Sequence, residues 1–98
     1  MWNKIQNGAT IGQIGSESGV IIEEEEYSES CRITLERCEK YYAITCGIYG
    51  AMVHTVFCDA ESCRKTYANM KRDLQAFIDA DTTTEEEVDF YEWFVSTY

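Results

Sequence analysis

The sequence predicts a single α+β domain spanning residues 1–98. In it, an antiparallel sheet of four to five strands, between about residues 9 and 57, packs against two helices. Three observations predict this class. The chain has the length of one domain. Its first half holds β-branched segments, some with alternating apolar and polar residues. After Phe57, apolar residues recur at helical spacing instead.

The first two strands are expected at residues 9–14 and 20–27. The glycine-bounded segment 15–19 separates them and has the composition of a turn. The second strand starts with the β-branched Val20-Ile21-Ile22 and continues into four consecutive glutamates, Glu23 to Glu26. Four carboxylates in a row destabilise a strand unless that part of it lies at an edge or in solvent. We therefore expect these glutamates to be solvated on both faces.

Three further strands are expected at residues 31–37, 41–49 and 51–57, after a turn at 28–30. The first of them alternates strictly and places three apolar side chains on one face: Cys31, Ile33 and Leu35. The connections between these segments are short, and short connections favour antiparallel pairing. The simplest arrangement is a meander.

The first helix is expected at residues 60–79, with Asp59 as its N-cap. Five apolar or aromatic residues recur at steps of four and three and therefore share one face. They are Cys63, Tyr67, Met70, Leu74 and Phe77. This stripe predicts an amphipathic helix that lies across the sheet.

The second helix is expected at residues 85–97. Thr84 and Glu87 have the spacing of a capping box. The inward stripe is expected to contain Val88, Tyr91, Phe94 or Val95, and Tyr98. Phe90 and Trp93 fall outside that stripe. We therefore expect them to form a second aromatic face.

The cysteines predict reduced, largely buried thiols. There are five, an odd number, and no two are separated by only two residues. His54, Cys58 and Cys63 fall short of the four ligands of a closed zinc site, so no metal and no cofactor are expected. No apolar run of about 18 residues is present, and the N-terminal segment lacks the apolar stretch of a secretory signal. The expected location is the cytoplasm, without a membrane partner.

No segment carries a specific catalytic signature. A nucleophilic pair of His54 with Cys46 or Cys58 is conceivable, but no local motif accompanies it. Gly47-Ile48-Tyr49 matches one element of a nuclease family, whose second Tyr-Ile-Gly element and basic surface are missing. Gly12 to Gly15 is not followed by the Gly-Lys-Ser/Thr of a phosphate loop. We expect no catalytic residue, and a small enzyme using His54 with a cysteine stays an alternative.

The net charge of −10 is concentrated in two segments. Residues 17–30 and 81–98 together carry twelve of the eighteen carboxylates and no base, whereas residues 31–80 carry six acids and seven bases. A field of one sign opposes direct binding to nucleic acid and anionic lipid and favours a basic protein partner. Solubility alone is the competing explanation.

Aromatic residues lie within both acidic segments. Tyrosine, tryptophan and phenylalanine supply much of the binding energy of interfaces, and carboxylates steer a basic partner. The expected partner-binding residues are Glu23, Glu24, Glu25, Glu26, Tyr27, Glu86, Asp89, Phe90 and Trp93. Trp93 and Tyr27 are the strongest of these candidates, since neither belongs to a clear inward stripe.

In overall character the chain resembles the bacterial immunity proteins that neutralise polymorphic or contact-dependent toxins. The resemblance covers the length, the acidity, the α+β class and the cysteines, with the segments 23–26 and 85–89 as its most suggestive parts. It implies direct binding to a basic toxin, often a nuclease. It assigns no role to any single residue and leaves the oligomeric state open. A DNA-mimic inhibitor of a nucleic-acid-binding protein would have similar charge and is the alternative.

Overall fold

The computed structural model describes all residues from 1 to 98 and confirms the predicted α+β class. A five-stranded antiparallel sheet has the strand order β1-β2-β3-β4-β5, and two helices follow it in the chain. The elements are β1 (Trp2–Lys4), β2 (Val20–Tyr27), β3 (Cys31–Arg37), β4 (Tyr42–Ile48), β5 (Met52–Cys58), α1 (Cys63–Asp79) and α2 (Thr84–Thr97). Neither helix combines the length and the apolar composition that crossing a bilayer requires.

The strand predicted at residues 9–14 is wrong. The first strand is instead β1, which pairs with the end of β2, and residues 9–14 form turns in which only Ile14 makes an isolated bridge, to Val20. Gly8 and Gly12 both have φ of +92°. That left-handed backbone interrupts an extended segment, and glycine adopts it without the penalty that a side chain brings.

Two tight turns connect the central strands. Ser28 and Glu29 both have positive φ, 51° and 54°, between β2 and β3. Such a turn has the twist that suits an antiparallel hairpin. Between β4 and β5, Gly50 has φ of +75° and Ala51 donates its N–H to the carbonyl of Ile48 at 3.0 Å. The predicted meander of these strands is confirmed.

A register shift in β2 decides which glutamates face the helices. The pairing with β3 shifts between Ile21 and Glu23, so one residue of β2 has no opposite neighbour. Beyond this bulge, Glu25 pairs with Ile33 on the helix-covered face and Glu24 pairs with Thr34 on the other face. We call the face without helices the open face.

The core lies between the sheet and the two helices. The predicted stripe of α1 is confirmed, because its first four members are buried and Phe77 is half-buried against the same core. The core side chains are Tyr27, Cys31, Ile33, Leu35, Ile44, Cys46, Ile48, Met52, Cys63, Tyr67, Met70, Leu74 and Phe94. All five cysteines are free thiols. Full burial of one large apolar side chain stabilises the fold by about 1.5–3 kcal/mol.

The start of α1 differs from the prediction. The helix begins at Cys63, and Asp59 is not its N-cap. The Asp59 carboxylate instead accepts hydrogen bonds from the backbone N–H and the hydroxyl of Ser62, both at 2.8 Å. These bonds lower the pKa of Asp59. They stabilise a turn that precedes the helix, which is a common alternative use of an aspartate at this position.

The capping box of α2 lies one residue earlier than predicted. Thr83 Oγ1 accepts the N–H of Glu86, and the Glu86 carboxylate accepts the N–H of Thr83. The predicted inward positions of Tyr91, Phe94 and Tyr98 are confirmed. The inward position of Val88 and the separate aromatic face containing Phe90 are wrong. Val88 is exposed, and the Phe90 ring stacks on Phe77 of α1 at 4.2 Å between centroids.

The open face is partly covered by the segment between β1 and β2. Its anchor is Glu36, a fully buried carboxylate that accepts the backbone N–H groups of Glu17 at 3.2 Å and Gly19 at 3.1 Å. Gly15 permits this packing, since a Cβ there would lie 2.4 Å from the Glu36 carboxyl carbon. The glycine-rich composition of the segment therefore has a packing cause.

Candidate partner-binding surface

The two inner glutamates of β2 are engaged in internal contacts. Glu24, only 4% exposed, accepts hydrogen bonds from Thr34 at 2.5 Å and Arg32 at 2.9 Å. Glu25 accepts from Lys71 at 2.8 Å and Tyr67 at 2.7 Å, both on α1. The prediction that all four glutamates are solvated is therefore wrong for this pair.

The pKa values of these two carboxyls follow from their partners. Burial by itself would raise the pKa of Glu24, but the hydrogen bonds from Thr34 and Arg32 outweigh it and lower the pKa. Burial likewise opposes the lowering of the Glu25 pKa, which Lys71 and Tyr67 bring about. Both groups are thus held as carboxylates and attach β2 to its neighbours.

The outer two glutamates of the run are half-buried and also have neighbours. Lys4 Nζ lies 3.9 Å from a carboxylate oxygen of Glu23, and the Tyr49 hydroxyl donates to Glu26 at 2.5 Å. The segment 23–26 therefore belongs to the sheet's internal bonding. As a group these residues are poorly placed to meet a partner.

Tyr27 is not a surface residue. Its side chain is 6% exposed, within the core, and its hydroxyl donates to both oxygens of Asp79 at 2.7 and 2.9 Å. Hydrogen bonding to Asp79 raises the pKa of Tyr27. The expectation that Tyr27 lies outside the inward stripe is wrong, because the bulge in β2 turns this side chain toward the helices. Tyr27 closes the contact between β2 and the end of α1.

The acidic segment that contains α2 has the opposite character. Its carboxylates make no hydrogen bond or ion pair with another side chain, apart from Glu86, which closes the capping box. The unpaired carboxylates belong to Asp81, Glu85, Glu87, Asp89 and Glu92. All of them are exposed except the half-buried Glu87. A helix with its carboxylates free in this way projects a field of one sign into solvent.

Helical spacing groups the predicted α2 residues. Glu86, Asp89 and Trp93 are spaced three and four apart and share one exposed side of the helix. Trp93 is 47% exposed, with its ring tilted against Phe90 at 6.0 Å between centroids. Phe90 itself is half-buried in the contact with α1, so it supports Trp93 from below. The predicted C-terminal residues therefore lie together, and those of β2 lie elsewhere.

A second exposed row of α2 was not among the predicted site residues. It runs along the helix at steps of three and four and contains Glu85, Val88, Glu92 and Val95. Val88 and Val95 are 48% and 42% exposed. The sequence pattern assigned Val88 to the inward stripe and gave Val95 as an alternative to Phe94, whereas the structure exposes both valines.

A cavity of about 810 Å³ lies on the open face, between the segment after β1 and the β4–β5 hairpin. Two buried oxygen atoms in the residues that line it, Thr10 Oγ1 and Glu24 Oε1, have no hydrogen-bond partner in the protein. The Thr10 hydroxyl lies near enough to contribute to the lowered pKa of Glu24 without reaching hydrogen-bond geometry. No sequence pattern predicted this cavity, because its two sides are far apart along the chain.

His54 lies in β5, next to a buried cysteine of β4. His54 and Cys46 are cross-strand partners between β4 and β5. Burial, however, raises the pKa of Cys46 to about 12 and that of Cys58 above its usual range. The His54 ring packs edge-on against Phe94, and its Nε2 has no hydrogen-bond partner. No three His, Cys, Asp or Glu side chains are grouped so that they could hold a metal ion.

Fold and surface together define the class of this molecule as a small α+β domain with an acidic, partly apolar C-terminal helix on its outside. No family model, curated protein or solved structure matches the chain. Its function is therefore argued from its own geometry.

Proposed function

We propose that this protein is an acidic binding module that holds a basic protein through the exposed side of α2. The observation that carries the proposal is the set of unpaired carboxylates on α2, next to the exposed side chains of Val88, Trp93 and Val95. Exposed carboxylates without internal partners contribute little to the stability of the fold and are free to bind cationic groups. Exposed apolar and aromatic groups beside them supply the contact area that charge alone lacks.

The charge distribution selects the type of partner. A net charge of −10 repels nucleic acid and anionic lipid and attracts a basic surface. Steering of this type acts on the rate of association, whereas a half-exposed aromatic such as Trp93 acts on the lifetime of the complex. The two contributions can therefore be measured separately.

In its more specific form, the proposal is that the module is a bacterial immunity protein that neutralises a basic toxin by direct binding in the cytoplasm. The small size and the acidity support this reading. Five unpaired thiols suit a reducing compartment. A DNA-mimic inhibitor would use the same charges, and competition between the protein and duplex DNA for its partner would favour that alternative.

The test uses the basic product of a gene adjacent to the one that encodes this protein. Association rates are measured by surface plasmon resonance at several salt concentrations for Glu85→Gln/Glu92→Gln. The matched control is Glu39→Gln/Glu61→Gln, which removes the same charge from exposed sites outside α2. We expect the α2 variant to associate about tenfold more slowly, with a flatter salt dependence, and the control to change little.

Equal effects of the two variants would show that net charge, and not the α2 surface, governs association. A complex whose association rate ignores salt would contradict the proposal altogether. Trp93→Ala completes the test, since an anchor residue should raise the dissociation rate while leaving the association rate nearly unchanged.

A further inference from the structure

β5 is an open edge of the sheet. It pairs with β4 from Met52 to Cys58, and no other strand or loop makes a backbone hydrogen bond to it. In a strand that is paired on one side, alternate residues point their N–H and C=O groups away from the partner. The outer side of β5 therefore presents a row of unpaired main-chain donors and acceptors, which is a template for another strand.

The opposite edge of the same sheet is closed. β1 has only three residues and includes Lys4. Farther along β2, the N–H of Ile21 donates to the carbonyl of Gln13 at 2.9 Å, and the carbonyl of Ile21 accepts the N–H of Gly12 at 2.8 Å. Short strands, lysines and covering loops are the usual protections of an edge. β5 has none of them, since residues 41–58 contain no Asp, Glu, Lys or Arg and the β4–β5 register is unbroken.

Apolar side chains extend the β5 edge on the open face. Val53 is 78% exposed and Phe57 is 59% exposed. The exposed Tyr41 packs edge-on against Phe57 at 5.2 Å between ring centroids. A strand added beside β5 would cover Val53 and Phe57, because cross-strand neighbours on one face lie in contact.

On the other face, α2 contacts β5 and the turn before it. Near the start of α2, Glu87 and Tyr91 share a cavity of about 410 Å³ with Ala51, just before β5. Farther along, the Phe94 ring packs against His54 within β5. These two contacts place α2 next to β5 on the helix-covered face.

The second exposed row of α2 lies on the side of the helix opposite Phe90. Phe90 packs toward α1, and Val88 and Glu92 are each two residues from it, which places them about 200° around the helix axis. Glu85 and Val95 complete the same row. The side of α2 opposite Phe90 thus carries two exposed valines and two unpaired carboxylates.

We propose that β5 binds an extended segment of the basic partner as a sixth strand of the sheet, a refinement that rests on the proposed function. Main-chain hydrogen bonds to β5 supply affinity, Val53 and Phe57 contact the segment's apolar side chains, and Glu85 and Glu92 meet its basic ones. A second copy of this chain fits the site less well. Antiparallel pairing of two β5 strands would bring two acidic α2 helices together on the same face of the joined sheet.

The probe is a synthetic peptide with alternating threonine and valine residues and a lysine at each end. It is titrated into ¹⁵N-labelled full-length protein, with amide shifts and hydrogen exchange as readouts. We expect shifts and new protection in Met52 to Cys58. A peptide N-methylated at alternate residues keeps the charges but loses the ladder, and it should bind more than about tenfold more weakly. A peptide with glutamates in place of the lysines should also bind more weakly.

Two protein variants provide an independent check. The N–H groups of Thr55 and Val56 point to opposite sides of β5. One of the two substitutions, Thr55→Pro or Val56→Pro, therefore removes a hydrogen bond to β4, and the other removes a donor from the open edge. Whichever variant keeps its circular dichroism and melting temperature has lost the outer donor, and it should have lost peptide binding. If both unfold, the N-methylated peptide decides the result.

The outcomes separate this inference from the proposed function. Lysine-peptide shifts confined to α2, with no effect of N-methylation, would overturn strand addition and leave an acidic binding surface in place. The inference is equally overturned if the lysine peptide causes no shift in β5. Concentration-dependent dimers in sedimentation, with β5 amides already protected in the free protein, would assign the edge to a second copy and also contradict it.

Discussion

The two acidic segments, residues 17–30 and 81–98, carry equal charge but differ in how their carboxylates are bonded. In β2, each glutamate from Glu23 to Glu26 has a basic or hydroxyl group within reach, contributed by β1, β3, the β4–β5 turn or α1. In α2 the carboxylates, Glu86 excepted, face solvent without a partner. Whether a run of glutamates is bonded within the protein or exposed to solvent therefore depends on which elements fold against it.

The comparison also explains how the few basic residues are used. Lys4, Arg32 and Lys71 all lie against β2, and none lies against α2. An interior carboxylate that loses its partner destabilises the fold, while an exposed one does not. The predictions below test this division, beginning with the contact that attaches α2 to the core.

The largest effect is expected at the inner side of α2. Phe94 is fully buried, so Phe94→Ala should lower the free energy of unfolding by about 3–5 kcal/mol. Trp93→Ala, one residue away on the half-exposed side, should lower it by less than about 1 kcal/mol. Chemical denaturation of both variants measures the difference. Comparable losses would mean that Trp93 belongs to the core and that α2 has no free aromatic side.

The next effect separates the two acidic segments directly. Glu25→Gln removes the charge that Lys71 and Tyr67 approach, and it should lower stability by about 1–3 kcal/mol. Glu85→Gln changes the same charge on α2 and should stay within about 0.5 kcal/mol of the native protein. Urea unfolding at neutral pH gives both values. If the two variants were equally stable, the contrast between the segments would be lost.

A smaller effect is expected at the start of α2. Thr83→Ala should lower stability by about 1 kcal/mol, because it removes the acceptor for the Glu86 N–H. Thr84→Ala is the matched control, and we expect a change of less than about 0.5 kcal/mol. Thermal unfolding of the two variants tests the position of the cap. A larger loss for Thr84→Ala would restore the capping box predicted from the sequence.

The smallest effect concerns acid. The folded pKa values of Glu24 and Glu25 lie below the ordinary value of 4.5. The stabilisation from this pair is therefore complete above about pH 4.5 and is lost as the pH falls through the folded pKa values. Glu24→Gln/Glu25→Gln should flatten the acid limb of the stability curve relative to Glu85→Gln/Glu92→Gln. Parallel acid limbs in the two double variants would contradict the pKa directions.

Local patterns predicted the elements whose determinants are local. The alternation in β3 and the helical stripe of α1 each predict which side chains share the core-facing side, and both predictions are confirmed. The strand predicted at 9–14 was wrong because Gly12 within it and Gly8 just before it adopt left-handed backbone, which strand-like composition does not reveal. The true first strand, Trp2–Lys4, is held by long-range contacts, including the Trp2 indole N–H that donates to Gln75 at 3.1 Å.

The candidate surface was less predictable because it depends on tertiary position. Asp89 and Trp93 are exposed as expected, since helical spacing alone places them opposite the inward side chains. Tyr27 was misplaced because a single bulged residue in β2 reverses every side chain after it. The open edge of β5 has no sequence signal of its own. It exists only because no further strand follows in the meander.

The order of strands has a consequence for the speed of folding. From β2 to β5, each strand pairs with the next one along the chain, so most sheet contacts close short loops. Proteins rich in local contacts search a smaller space and fold faster than those with distant pairings. The chain contains no proline, so refolding has no X–Pro isomerisation of tens of seconds to wait for. The closure with the largest sequence separation is the docking of the N-terminal strand beside β2 and α1, and we expect it to be the slowest step of folding.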